Sequence, residues 1–298
     1  MLREFSLELE KIDSLFGIVD IKRIMEIQEE LALQKGQTSL EASPYCTDYY
    51  DFETIKNEKS INSIFIVATL SPFYVLRTKY NEKNIDLKIP PIYGNRSDIL
   101  GNVKSITAKI FTKYGLSTFP VILPKKLLAV YSGLAQYGNN GLAYIKGMGS
   151  YFRLTAFATD FRNNNYTWIK PSLMNSCAHC GKCVENCPTK ALKHGTPWVN
   201  VNKCITEFNE QEDDFPDWLH RDWHNCVIGC IKCQEVCPLN NKEWRTIIIP
   251  IEYSEVEELL NSKNFSDVSE HLRIILKSLD LDRYYTEIKR NINYLIRS

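Results

Sequence analysis

The chain has 298 residues, 44% hydrophobic and 24% charged, and its 36 basic residues balance 36 acidic ones to a formal net charge of zero. This length predicts two domains, and the composition is ordinary for a soluble globular protein. Zero net charge excludes a global field that would attract nucleic acid or an anionic membrane. Because the apolar runs are too short to span a bilayer and the N-terminus lacks a signal peptide's apolar core, we expect a cytoplasmic protein.

The first half of the chain alternates helix and strand patterns. Helices are predicted over residues 16–35, 101–114 and 125–132. Strands are predicted over residues 63–69, 142–146 and 152–159. This alternation indicates an α/β domain over residues 1–165.

Two further segments follow this domain. Residues 166–245 contain most of the cysteines, and residues 246–298 form a C-terminal helical segment. Helices are predicted there over residues 254–261, 266–278 and 282–296. Ser254 and Glu257 have the spacing of a capping box at the start of the first of them.

Cysteine is the most informative residue type in the chain. Nine of the ten cysteines lie between residues 177 and 237. Disulfide frameworks of this density are typical of small secreted proteins, and we do not expect this chain to be one. The run CAHCGKCVENCP, which starts at Cys177, has the spacing and final proline of bacterial ferredoxins, and the run from Cys230 to Pro238 repeats it without its first cysteine. Two 4Fe–4S clusters are therefore predicted, with a zinc site as the alternative. Cys46 stands apart and is expected to be a small buried residue.

The run pattern also assigns ligands, because the last cysteine of each run ligates the other cluster in two-cluster ferredoxins. The ligands expected for cluster 1 are Cys177, Cys180, Cys183 and Cys237. Those expected for cluster 2 are Cys187, Cys230, Cys233 and one more thiolate, which Cys204 or Cys226 could supply. We favour Cys204, because residues 189–204 suggest a hairpin that returns the chain to the site.

Residues 133–160, GLAQYGNNGLAYIKGMGSYFRLTAFATD, precede the two cysteine runs. Together with these runs and the lone cysteine between them, they resemble the superfamily of cobalamin-dependent reductive dehalogenases and epoxyqueuosine reductases. The resemblance covers residues 120–240. It implies a nitroreductase-like domain that binds base-off cobalamin, followed by a ferredoxin-like double 4Fe–4S domain that supplies electrons.

The resemblance also implies residues that contact the corrinoid. They are Tyr137, Asn140, Ala143, Gly149, Ser150, Tyr151, Leu154 and Thr206. Glycine at positions 147 and 149 would permit close approach of a planar ligand, although a simple hairpin turn would also account for both. Respiratory reductive dehalogenases use a tyrosine as proton donor, and Tyr93, Tyr114, Tyr137 or Tyr151 could serve in this role. Tyr137 is our first choice, because it lies in the segment that carries the resemblance.

One departure from the epoxyqueuosine reductases concerns their catalytic aspartate. This chain has Phe119 at the corresponding distance, and no Asp or Glu occurs between Asp98 and Asp160. Loss of a general acid costs a reaction about a hundredfold or more in rate. The C-terminal segment is also more acidic than basic, a poor surface for phosphates. We therefore do not expect tRNA as a partner.

The sequence thus predicts a cobalamin- and iron–sulfur-dependent oxidoreductase that reduces a small or nucleoside-type substrate. A low-potential donor resembling ferredoxin or flavodoxin would supply its electrons, and no membrane partner is expected. Two alternatives stay open. One is an electron-transfer or activator protein that reduces a partner's corrinoid, and the other is an epoxyqueuosine reductase-like tRNA-modifying enzyme.

Overall fold

The computed structural model of the chain describes residues 1–37, 49–58, 60–80, 82–240 and 246–296. Cys46 lies outside these ranges. The strands are β1 (Ser14–Asp20), β2 (Ser63–Leu70), β3 (Phe73–Tyr80), β4 (Lys83–Ile89), β5 (Thr118–Pro120), β6 (Gln136–Tyr137), β7 (Ala143–Tyr144), β8 (Phe152–Thr159) and β9 (Thr246–Pro250). The helices are α1 (Leu2–Glu10), α2 (Ile24–Gln37), α3 (Phe52–Asn57), α4 (Arg96–Lys113), α5 (Lys125–Tyr131), α6 (Lys182–Glu185), α7 (Ile205–Asn209), α8 (Lys232–Glu235), α9 (Tyr253–Asn261), α10 (Glu270–Ser278) and α11 (Tyr285–Ile296).

The main sheet is antiparallel and has the strand order β1-β2-β8-β5. Its central strand β2 is apolar on both faces because helices cover both. Ile64 and Ile66 pack on one face with residues of α2 and α5, such as Leu127. Phe65 packs on the other face, where its ring lies 5.2 Å from that of Phe111 in α4. The predicted α/β fold is therefore confirmed.

Several predicted elements of the first half coincide with observed ones, whereas α1, α3 and the strands β3, β4 and β5 were not predicted. The predicted strand over residues 152–159 coincides with β8, and the predicted helix over residues 125–132 with α5. The prediction of a helix over residues 16–35 is wrong for its first part, because β1 pairs residue by residue with β2 and α2 begins only at Ile24. Pairing with a buried strand outweighs local amphipathicity here.

A second sheet joins distant parts of the chain, in the order β4-β3-β9. β9 pairs in parallel with β3, so the segment after residue 245 begins with a strand that was not predicted. Helices α9 to α11 share a core with the β3–β4 hairpin, in which Leu76 and Leu87 meet Leu272 and Ile288. The capping box at α9 consists of Glu252 and Glu255 rather than the predicted Ser254 and Glu257.

Candidate iron–sulfur and cofactor site

The two cysteine runs fold against each other. Cys183 lies in the short helix α6 and Cys233 in the equivalent helix α8. Asn186 ties the two runs together, since its Nδ2 donates a hydrogen bond to the carbonyl of Lys232 at 2.7 Å. The predicted hairpin over residues 189–204 contains no strand, but a backbone hydrogen bond from Asn200 to Ala191 still brings the chain back.

Each half of the paired runs encloses one cavity lined by four cysteines. The cluster 1 cavity is lined by Cys177, Cys180, Cys183 and Cys237. The cluster 2 cavity, of about 210 Å³, is lined by Cys187, Cys204, Cys230 and Cys233. The structure therefore groups the eight cysteines as the sequence predicts, with the last cysteine of each run exchanged. Neither these eight cysteines nor Cys226 forms a disulfide.

Cys226 lies apart from both cavities. Its side chain is completely buried, and its Sγ lies 3.2 Å from Oδ1 of Asn225. Cys204, in contrast, opens α7 at the wall of the cluster 2 cavity, where burial raises the pKa of its thiol. The geometry thus agrees with the choice of Cys204 over Cys226 as the eighth cysteine.

No group of three or more His, Cys, Asp or Glu residues in the described ranges is arranged to hold a single metal ion. Thiolates around a cubane bind different irons and so need not converge on one point.

His220 and His224 have the four-residue spacing of a metal-binding pair on a helix. They flank a 3-10 turn instead of sharing a helix face, and Nδ1 of His224 is hydrogen bonded to Asn209.

A third cavity, of about 660 Å³, lies beside the cluster 2 cavity. We call it the aromatic cavity, because its lining includes Tyr49, Tyr50, Tyr137 and Trp198. Its cationic lining residues are Arg96, Lys125 and Lys126, and no described lining residue is a carboxylate. The aromatic cavity and the cluster 2 cavity share Lys126, Gly141 and Val199, so the two adjoin.

Gly141 is required at the junction between these cavities. Its φ of +69° lies in the left-handed region, which favours glycine. A Cβ added at this position would lie 2.6 Å from Cγ2 of Val199 and 2.8 Å from the carbonyl oxygen of Pro197. The close approach of these segments therefore shapes the wall between the cavities.

The structure distributes the eight predicted corrinoid contacts over different environments. Tyr137 lines the aromatic cavity, whereas Asn140 and Thr206 line the cluster 2 cavity. Ala143 is buried in the core of the α/β domain, and Leu154 packs against that core. Ala143, Gly149, Ser150, Tyr151 and Leu154 line none of these three cavities.

The turn that contains Gly149 and Ser150 packs against the end of the second cysteine run. A Cβ at Gly149 would collide with Oδ1 of Asn240 and lie 2.7 Å from the carbonyl oxygen of Leu239. Oγ of Ser150 lies 3.0 Å from Oε1 of Gln234 and 3.2 Å from Oδ1 of Asn240. Protein packing, rather than a planar ligand, therefore accounts for glycine at position 149.

Sequence reasoning missed the cations of the aromatic cavity. Phe119 lies in β5 opposite Ala158 and packs on the core, whereas the segment that follows it supplies Lys125 and Lys126 to the cavity wall. Burial, then the nearby Arg96 and Arg153, lower the pKa of Lys125. The sequence signal was the pair Lys125–Lys126 within a stretch that has no Asp or Glu between Asp98 and Asp160.

Comparison with known proteins agrees with this architecture. The 4Fe–4S double cluster binding domain family matches residues 176–240. Epoxyqueuosine reductase of Atelocyanobacterium thalassa (isolate ALOHA) is 30% identical over 152 residues, which cover 50% of this chain and 48% of that protein. The same-named protein of Cyclobacterium marinum is 34% identical over 113 residues, or 38% of this chain and 35% of that protein. The chain thus spans half or less of the length of these curated relatives.

Solved structures agree over nearly the whole chain. Epoxyqueuosine reductase from Bacillus subtilis aligns with a TM-score of 0.75 and 20% identity, over 99% of this chain and 80% of that one. An epoxyqueuosine reductase solved with an epoxyqueuosine-modified tRNA-Tyr stem loop aligns with a TM-score of 0.72 and 19% identity, over the same shares of both chains.

The chain therefore combines a mixed α/β fold with a double 4Fe–4S cluster binding domain. Its fold is that of the epoxyqueuosine reductases, and the predicted resemblance to their superfamily is confirmed. These relatives are named as reductases, which agrees with the predicted oxidoreductase class. Within the described residues, no helix has the length and apolarity needed to cross a membrane.

The prediction that excluded tRNA as a partner is contradicted by these comparisons. The relatives are named for the reduction of epoxyqueuosine, and one protein of this fold was solved with a tRNA stem loop. Our prediction used the net charge and the acidic C-terminal segment, and both describe only the average charge over a large surface. The local cations Arg96, Lys125 and Lys126 are invisible to such an average.

Proposed function

We propose that the chain is an iron–sulfur reductase of the epoxyqueuosine reductase type, acting on a modified nucleoside in a tRNA stem loop. The observation that carries this proposal is the shared wall of Lys126, Gly141 and Val199 between the aromatic cavity and the cluster 2 cavity. A substrate in the first cavity would thus be next to a source of electrons in the second. The names of the relatives support the substrate class.

In this proposal, the eight cysteines that line the two cavities hold two 4Fe–4S clusters. Such clusters, when bound, pass single electrons. Ala178 and His179, between two cluster 1 cysteines, are exposed, whereas Val227 and Ile228, just before Cys230, are completely buried. A low-potential donor protein would therefore dock at cluster 1, and electrons would leave from cluster 2 toward the aromatic cavity.

The aromatic cavity fits a corrinoid in the chemistry of its wall, and cobalamin is part of the proposal. Its volume is in the range of small-molecule sites. Tyr137 would pack on the corrin face, and Arg96 would meet the phosphate of its nucleotide tail. When bound, a corrinoid turns single electrons into reducing power for a substrate. Asn140 and Thr206 lie on the cluster 2 side of the wall.

The cations of this cavity suit a tRNA substrate as well. Arg96 and Lys125 place positive charge in the wall of this cavity. Phosphate groups of a stem loop would be attracted to this wall. Aromatic side chains such as Trp198 offer stacking surfaces for an unpaired base.

Reductive cleavage of a carbon–oxygen bond requires a proton at the leaving oxygen. We propose that Lys125 provides it, since the lowered pKa of its ammonium group makes proton release easier near neutral pH. Tyr137, which lines the same cavity, is the second candidate. Lys125 would then replace the aspartate that the epoxyqueuosine reductases use.

Reduction of a defined stem loop tests this proposal. The chain is reconstituted anaerobically with iron, sulfide and cobalamin, reduced with a low-potential donor, and incubated with a stem loop that carries epoxyqueuosine. Mass spectrometry of the digested RNA should show the reduced nucleoside, and omission of cobalamin should prevent its formation. An unmodified stem loop is the matched control.

Absence of the reduced nucleoside, despite two loaded clusters and bound cobalamin, would overturn the tRNA proposal. Small electrophiles would then be tested with the same preparation, to establish whether the chain reduces a small-molecule substrate instead. Electron transfer from the reduced chain to the corrinoid of a second protein would instead favour the activator function.

A further inference from the structure

Asn225 lies next to cluster 2 and is hydrogen bonded on every side. Its Nδ2 donates to the carbonyl oxygen of Trp223 at 3.1 Å and to Sγ of Cys230 at 3.2 Å. Its Oδ1 accepts from the backbone N–H of Ile231 at 2.9 Å and from Sγ of Cys226 at 3.2 Å. Two donors and two acceptors use the full capacity of a carboxamide.

This arrangement fixes which end of the amide faces the sulfur. The N–H of Ile231 can only donate and the carbonyl of Trp223 can only accept, so a flipped amide would lose both of these hydrogen bonds. The side chain of Asn225 must therefore point an N–H at Sγ of Cys230.

Hydrogen bonds to cluster sulfurs influence the reduction potential of a 4Fe–4S cluster. Reduction adds negative charge to the cluster and its thiolates, and a donated N–H stabilises that added charge. We propose that Asn225 raises the reduction potential of cluster 2 through Cys230, and that Cys226 holds Asn225 in the orientation this requires. Cys226 would thus be a positioning residue with no iron of its own.

This role explains why a tenth cysteine is buried beside the second run. Cys226 is fully buried and lines neither of the cysteine cavities, yet its thiol meets the acceptor end of the Asn225 amide. A serine could make the same hydrogen bond, whereas an alanine could not. The N–H of Ile231 would still hold the amide in an alanine variant, so the loss of orientation would be partial.

A redox titration followed by electron paramagnetic resonance tests the proposal in the reconstituted full chain. Asn225→Leu should shift the midpoint potential of one cluster to a more negative value and leave the other unchanged. Cys226→Ala should give a smaller shift in the same direction, and Cys226→Ser should restore the wild-type value. A Cys237→Ala chain, expected to keep only cluster 2, identifies which signal belongs to that cluster.

Gln211→Leu is the matched control, because Gln211 is also a side-chain amide of the cysteine-rich segment, but it is exposed and its Nε2 donates to the carboxylate of Glu207. It should leave the potential of cluster 2 unchanged. Unchanged potentials in both Asn225→Leu and Cys226→Ala would overturn the proposal. If Asn225→Leu fails to load cluster 2, the difference between Cys226→Ala and Cys226→Ser decides it.

The inference rests on the proposed function, because it takes Cys230 as a ligand of cluster 2. Different results would refute the inference and the proposed function. A wild-type chain that loads no pair of clusters would refute the proposed function, whereas a wild-type chain with two clusters and no effect of these variants would refute only the role of Asn225 and Cys226.

Discussion

Cys177 and Cys237 line one cavity, although they lie at opposite ends of the cysteine-rich segment. Cys177 ends the turn Asn175–Cys177, and Cys237 follows α8. We predict that Cys237→Ala removes cluster 1 and lowers the iron content of the reconstituted chain from about eight to about four per molecule. Iron and sulfide analysis with electron paramagnetic resonance would check this. Loss of cluster 2 instead would contradict the exchange of cysteines between the runs.

Cys204 and Cys226 provide a matched pair for the second cluster. Cys204 lines the cluster 2 cavity, whereas Cys226 is buried away from it. We expect Cys204→Ala to lose about half of the bound iron and Cys226→Ala to keep all of it. The same iron analysis applies to both variants. The reverse result would show that Cys226 is the ligand.

The cysteine groups were predictable because they depend on spacing over a few residues. Two-residue gaps force Cys177, Cys180 and Cys183 around one short loop, and the proline after Cys187 directs that cysteine elsewhere. The choice of Cys204 required only that the chain return to the cluster 2 site, and in the structure it returns without the strands of the expected hairpin. Local rules were sufficient in each case.

The aromatic cavity could not be predicted, because tertiary contacts create it. Arg96 begins α4, Lys125 begins α5, and Trp198 lies in an irregular segment, so no sequence interval relates them. Gly149 shows the same limit. The sequence indicated that a side chain is excluded there, but only the fold shows that Asn240 excludes it.

A change at Lys125 should alter the pH dependence of the proposed reduction. A protonated Lys125 is the active form, so activity should fall as the pH rises through its pKa, which burial lowers below 10.5. We expect Lys125→Gln to reduce the rate about a hundredfold or more and to remove this alkaline decline. Single-turnover rates from pH 6 to 10 would measure both.

Two further variants separate proton donation from binding. Lys125→Arg keeps the positive charge but does not release a proton in this range, so kcat should fall while KM stays close to that of the wild type. Lys146→Gln removes an exposed lysine outside the three cavities and should change neither constant. A wild-type pH profile in Lys125→Gln would exclude Lys125 as the proton donor.

The hydrogen bond between the buried Tyr93 and Glu210 gives a stability prediction. The hydroxyl of Tyr93 donates to the carboxylate of Glu210, and the ring of Tyr93 contacts Gly229 and the ring of Tyr284. Tyr93→Phe would leave Glu210 without this donor. We therefore expect a loss of about 0.5–1.5 kcal/mol in the free energy of unfolding, measured by urea denaturation of the apoprotein with tryptophan fluorescence.

The pH dependence of this stability has a defined sign. Burial raises the pKa of Glu210 above its ordinary value of 4.5, so the folded chain holds a proton that the unfolded chain releases first as the pH rises. The resulting stabilisation is complete below pH 4.5 and is lost as the pH rises through the folded-state pKa. Glu210→Gln, which stays neutral, should therefore gain stability relative to the wild type as the pH rises through the folded-state pKa of Glu210.

An exposed carboxylate supplies the control for this comparison. Glu257→Gln removes an acidic side chain from the exposed face of α9 and should show the pH dependence of the wild type. If Glu210→Gln and Glu257→Gln respond alike to pH, then Glu210 is not held in its protonated form by burial, and the carboxylate beside Tyr93 must be solvated or paired in the folded protein.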